Sequence, residues 1–134
     1  MSAPAIGARA DLLLVEPDPA EAELASRCLR TRIAVAHDVS EAFRAVETLQ
    51  PRMVLLNPRV PGGDGLTLVG RLRADARFRT LPIVVLSSDD TPEEVARALV
   101  LGANSVVHKP VSFEAFRSAL AEVESYWLGR HAPG

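Results

Sequence analysis

Five short apolar runs recur along this chain, each separated from the next by a segment long enough for a helix. They predict strands at residues 11–15, 33–36, 53–57, 82–86 and 105–107. Their interiors are continuously apolar rather than alternating, as in strands covered on both faces. The intervening segments predict helices over 19–30, 39–49, 65–75, 92–101 and 113–128. Asp18 with Glu21, Asp38 with Glu41 and Thr91 with Glu94 stand at capping-box spacing before three of them. Pro19 and Pro92 occupy first-turn positions, where a missing N–H costs little. Gly102 follows the fourth helix as a C-cap. Repeated strand–helix units leave one economical arrangement, a parallel sheet with helices on both faces and right-handed crossovers.

With 134 residues, 48% of them hydrophobic, the chain suits one domain with a real core. That domain is expected over 11–128, with 1–10 and 129–134 as flexible termini. The net charge of −2 and the lack of any basic run argue against a nucleic-acid partner. A single cysteine, Cys28, excludes an internal disulfide and fits a reducing compartment. The first ten residues carry no signal-peptide stretch. No run approaches the roughly 18 apolar residues of a membrane span. The expectation is a cytoplasmic protein without membrane contact, linker, second domain or built-in output.

Open α/β sheets place their chemistry at the C-terminal ends of the strands. Glu16 follows the first strand and Asn57 ends the third, ahead of the Pro-Gly-Gly-Asp-Gly loop at 61–65. Ser87 and Ser88 follow the fourth, and His108-Lys109-Pro110 ends the fifth. An acid, a polar strand-end residue, a small hydroxyl and a lysine, in that order, form a recognisable set. Over about residues 11–128 the chain resembles the receiver domains of two-component response regulators. The resemblance implies a flavodoxin-like, doubly wound α/β fold with strand order 2-1-3-4-5.

It also implies a damaged site. Asn57 stands where the family has its phosphate-accepting aspartate, and the family's acidic pair falls on Glu16 and Pro17. Family members hold Mg²⁺ with that pair and the acceptor, and Mg²⁺ wants one or two carboxylates plus waters. Proline offers no side-chain oxygen, and an amide is a very poor nucleophile toward phosphorus. Asp18 aligns one residue too late and reads as a helix cap. Two of three carboxylates are therefore missing. The expectation is no cofactor, weak or absent Mg²⁺ binding, no metal site and no enzymatic activity.

Ser87 and Lys109-Pro110 match the family, whose Lys-Pro bond is commonly cis. Gly102-Ala103-Asn104-Ser105 leads into the lysine at the family's spacing. Lacking its anionic partner, Lys109 is expected to turn to Glu16 or Asn57. The 61–65 loop reads as an ordinary strand-to-helix turn. The family's switch aromatic on the fifth strand is Val106 here, which cannot make the ring's in–out movement.

Other constellations carry less. His37, His108 and His131 share no metal-ligand spacing, and His108 is a candidate partner contact. Cys28, beside Leu24 and Leu29, reads as a packed residue. Glu16-Pro17-Asp18-Pro19 is acidic and poor in donors, which argues against a flavin phosphate. No Ser-His-Asp or Cys-His arrangement is evident. In the last helix Phe113, Phe116, Leu120, Val123 and Trp127 form a 3-4 stripe. Phe116 and Leu120 are expected to pack on the sheet. Tyr126-Trp127-Leu128 are expected to outrun it.

The interaction surface is accordingly assigned to Val95, Leu99, Phe113, Tyr126 and Trp127, with Trp127 as its exposed anchor. The C-terminal aromatics, Lys109-Pro110-Val111 and Phe113-Glu114 resemble the stand-alone receivers that serve phytochrome-type sensor kinases. The resulting reading is a stand-alone pseudo-receiver in phosphorelay signalling, a protein-binding module. Its partner would be a sensor histidine kinase or a second copy in a two-fold dimer. Two alternatives stand beside it. One is a working phosphoacceptor whose aspartate was changed to Asn57, against which Pro17 argues. The other is a small-ligand-binding domain using the emptied pocket.

Overall fold

The structure, a computed structural model, describes residues 9–62, 64–89 and 91–129. The expected flexible ends fall largely outside these residues, as do Gly63 and His131. Five strands alternate with five helices: β1 Leu12–Val15, α1 Pro19–Cys28, β2 Ile33–Ala36, α2 Val39–Leu49, β3 Met53–Leu56, α3 Leu66–Ala74, β4 Ile83–Ser87, α4 Pro92–Leu101, β5 Ser105–His108 and α5 Phe113–Leu128. The strands form one sheet in the expected order, β2-β1-β3-β4-β5, with every neighbouring pair parallel.

The continuous hydrophobicity of the strands reflects two cores. Leu13, Val15, Val54, Leu56 and Val85 pack with α2, α3 and α4 through Val46, Leu72 and Ala98. The alternate residues Leu12, Leu14, Met53, Leu55 and Val84 pack with α1 and α5 through Ala25, Phe116 and Leu120. Because side chains alternate across a strand, one run must be apolar throughout to serve both faces. No helix among the described residues is long and apolar enough to cross a membrane.

Element boundaries depart from expectation where distant groups intervene. α1 stops at Cys28 rather than residue 30, and the backbone that follows is held by a side chain of α5. Glu124 of α5 is 0% exposed. Its carboxylate accepts from the backbone N–H of Arg30 at 2.9 Å, the N–H of Thr31 at 2.8 Å and the hydroxyl of Thr31 at 2.7 Å. β4 and β5 run one residue further than expected, to Ser87 and His108, which pair with each other. A 3₁₀ turn at Ala76–Phe78, unforeseen, follows α3. Asp75 caps it by accepting from Arg77 N–H at 3.0 Å. The hydrogen-bonded Arg77 guanidinium also holds the Asp75 carboxyl below its ordinary range.

Of the three capping boxes, Asp38 with Glu41 comes nearest to closing. Asp38 accepts from Glu41 N–H at 2.7 Å, and Glu41 reaches back to His37 N–H at 2.6 Å. Asp18 and Thr91 cap their helices. Their partners, Glu21 and Glu94, are drawn elsewhere.

Candidate functional site

The parallel register pairs Val15 with Leu56, so the residues that follow them, Glu16 and Asn57, emerge side by side. Asn57 N–H still donates to Val15 O at 3.0 Å, and Glu16 N–H to Ala36 O at 2.9 Å. The Asn57 amide Nδ2 donates to Glu16 Oε1 at 3.1 Å. The other Glu16 oxygen accepts from Asp18 N–H at 3.1 Å. Asn57 Oδ1 accepts from Arg59 N–H at 2.9 Å. Glu16 is only 7% exposed. Amide and carboxylate thus satisfy one another, and each remaining oxygen already serves a backbone donor.

Pro17 adds nothing to this set. Asp18 is turned away as the α1 cap, accepting from Ala20 N–H at 2.9 Å. His37 Nδ1 lies 3.1 Å from Glu16 O, on the outer side of the same strand end.

Ser87 and Lys109 reach the same end of the sheet as Asn57, but their side chains take other partners. Lys109 N–H donates to Ser87 O at 2.8 Å. The Lys109 ammonium forms its ion pair with Glu21 on α1 and sits 5.6 Å from the Phe116 ring centre. The expectation that Lys109 would turn to Glu16 or Asn57 is therefore wrong. A long-range acid on α1, read only as a capping partner, captures it. No cis peptide bond occurs among the described residues, so Lys109–Pro110 is trans, unlike the bond the resemblance implied. Val106 sits half-buried against the α2–α3–α4 core, in register with Val85.

The loop after β3 behaves as a structural turn. Gly65 is required by space: a Cβ there would meet Pro58 O at 2.4 Å. Asp64 accepts from Leu66 N–H at 3.0 Å and pairs with Arg97 at 2.5 Å.

Three participants escaped sequence reading: Arg59, Asp89 and Glu94. The Arg59 guanidinium lies 2.8 Å from Asp89 and 3.4 Å from Glu94. Glu94 Oε2 in turn accepts from the Ser87 hydroxyl at 2.5 Å. Arg59 lies two residues beyond Asn57, which could have flagged it. Glu94 was hidden by its capping-box spacing to Thr91.

The expected interaction surface needs correction. Tyr126 is 78% exposed, whereas Trp127 is half-buried against the α1–α5 core. Leu128 is buried too, so the helix end does not outrun the sheet. The 3-4 stripe that contains Trp127 turns it inward, and Tyr126, one residue off the stripe, faces out. The two rings meet edge to face at 4.8 Å and line a groove of about 670 Å³ with Ser105 and Val107 of β5. Leu99 is exposed and Val95 half-buried on α4. Phe113 belongs to a different place, a cavity of about 160 Å³ beside Glu21, Leu24 and Lys109. Cys28 is packed as expected, and burial pushes its thiol up, against the opposing pull of Arg117.

A family model for the response regulator receiver domain matches residues 12–121. The probable methanogenesis regulatory protein FilR2 of Methanothrix harundinacea is 38% identical over 85 residues, covering 63% of this chain and 55% of that protein. The DNA-binding response regulator MtrA of Mycolicibacterium smegmatis is 37% identical over 105 residues, covering 76% of this chain and 45% of the relative. The chain thus spans about half the length of these two relatives. Among solved structures, the phosphorylated cyanobacterial phytochrome response regulator RcpA superposes with a TM-score of 0.82 at 21% identity, covering 94% of this chain and 99% of that one. At that identity the likeness is one of fold.

Proposed function

The chain belongs to the response regulator receiver domain family of two-component signalling, and we propose that it is a member that does not accept a phosphoryl group and acts by binding other proteins. The observation that carries this reading is the Asn57–Glu16 hydrogen bond of 3.1 Å. An acceptor site needs an exposed, ionised carboxylate, a divalent ion and cationic help for the developing charge. Here the nucleophile is an amide, and Lys109 is paired with Glu21.

The residues present do not fit Mg²⁺. The ion demands near-octahedral oxygen ligation, with one or two carboxylates. Glu16 is the single acid in place, and both its oxygens already accept hydrogen bonds.

The work then falls to fixed surfaces, and the protein is read as a binding module without enzymatic activity. The exposed Tyr126 ring, the groove beside β5 and the exposed Leu99 and Val100 of α4 support that reading. Such apolar groups beside a groove are suited to a protein partner. The partner proposed is a sensor histidine kinase surface or a second copy of the chain.

Thermal unfolding in Mg²⁺ tests the metal half of the reading. A ligand at a hundredfold its Kd adds about 2.7 kcal/mol to a native state that binds it. The expected result is an unchanged Tm up to millimolar Mg²⁺. A saturable rise that Glu16→Gln abolishes would count against the proposal.

A further inference from the structure

A serine hydroxyl has one proton to donate. That of Ser87 goes to Glu94 Oε2 at 2.5 Å, while its oxygen accepts from Asp89 N–H at 3.1 Å. Ser87 ends β4, and Glu94 lies in the first turn of α4, where Thr91 caps its N–H at 3.1 Å. The Glu94 side chain is 14% exposed, and the Arg59 guanidinium stands 3.4 Å from its Oε1. Arg59 follows Asn57 by two residues, and its backbone N–H donates to Asn57 Oδ1 at 2.9 Å. One continuous chain of contacts therefore runs from Asn57 through Arg59 and Glu94 to Ser87. It ties the end of β3 to the end of β4 and to α4.

The links differ in strength. Hydrogen bonds to a charged acceptor are the strong kind, and the shelter of Glu94 limits screening by solvent. The Arg59–Asp89 pair is open to water on both sides and contributes little. Glu94 is thus the centre of the chain, and Arg59 orients it. With its proton committed to α4, Ser87 has none to offer an anion beside Asn57.

We propose that Arg59, Glu94 and Ser87 form an internal latch, which holds the end of β4 and the first turn of α4 in one arrangement without any phosphoryl group. The latch deepens the function proposed above and rests on it, because a fixed α4 face is what a phosphorylation-independent binding module must present. The exposed Leu99 and Val100 lie on the helix that it anchors.

Hydrogen exchange read by mass spectrometry on the full chain tests the latch. Glu94→Ala should raise exchange across peptides spanning residues 87–96 by about tenfold or more. The β1 and β3 peptides should stay as they are. Arg59→Ala should give a smaller rise in the same peptides, and Arg59→Lys should return it toward the wild-type level. Unchanged exchange at 87–96 in Glu94→Ala overturns the latch. Should Glu94→Ala loosen the whole sheet, Arg59→Ala decides, since its side chain is more than half exposed. A local rise then supports the latch, and a flat profile overturns it. Acetyl phosphate added beforehand should leave both mass and wild-type profile unaltered. A phosphorylated mass would refute the proposed function while leaving the comparison between variants intact.

Discussion

Replacing Glu124 by alanine should lower the stability of the fold by about 3 kcal/mol and its Tm by roughly 10 °C. Glu124 is fully buried on α5, and its carboxylate gathers the N–H groups of Arg30 and Thr31 and the Thr31 hydroxyl. Truncation leaves those donors facing a void, and hydrogen bonds to a charged acceptor are each worth about 1.5–3 kcal/mol. The values do not add, because water can reach part of the Arg30–Thr31 turn. Glu124→Gln keeps the volume but turns one acceptor into a donor, so its loss should be smaller. Urea unfolding checks the prediction: the midpoint should fall in the order wild type, Gln, Ala, with the slope unchanged. A wild-type midpoint for the alanine variant would remove Glu124 from the account of how α1 ends.

Asn57→Asp alone should not restore phosphoryl acceptance, and Asn57→Asp with Pro17→Asp should do so at least about tenfold better, since Mg²⁺ needs the added carboxylate. The single change removes the 3.1 Å amide bond to Glu16 and sets two carboxylates side by side. Nothing at Pro17 then helps hold an ion to relieve that repulsion, and Lys109 remains with Glu21. The double variant supplies the missing ligand. Labelling with acetyl phosphate in Mg²⁺, followed by intact mass, compares the two. Full labelling of the single variant would mean that Pro17 is no obstacle, and that the loss rests on Asn57 alone.

What could be read from the residues follows the range of the forces involved. The strands were legible because both-face burial leaves continuous apolar runs, and three helix starts because caps are local. Strand order followed from the resemblance, and the adjacency of Glu16 and Asn57 from strand order. Partners chosen across the fold were not legible. Glu21 and Glu94 each stand three residues after a cap, so local spacing explained them completely. The structure spends neither side chain on that cap, giving one to Lys109 and the other to Ser87. The same holds for the end of α1, set by an acid 94 residues away in sequence. Trp127 was misplaced for a different reason. Its proximity to the chain end outweighed a helical period that, taken at face value, turns it inward beside Leu120 and Val123.

The central claim is that this receiver does not take up phosphate, and intact mass after incubation of the wild-type chain with acetyl phosphate and Mg²⁺ tests it most directly. The expected result is an unchanged mass, because position 57 offers an amide and Glu16 beside it is already engaged by Asn57 and Asp18. A phosphorylated species, mapped to Asp18, Asp64 or any other acid of the strand ends, would contradict it.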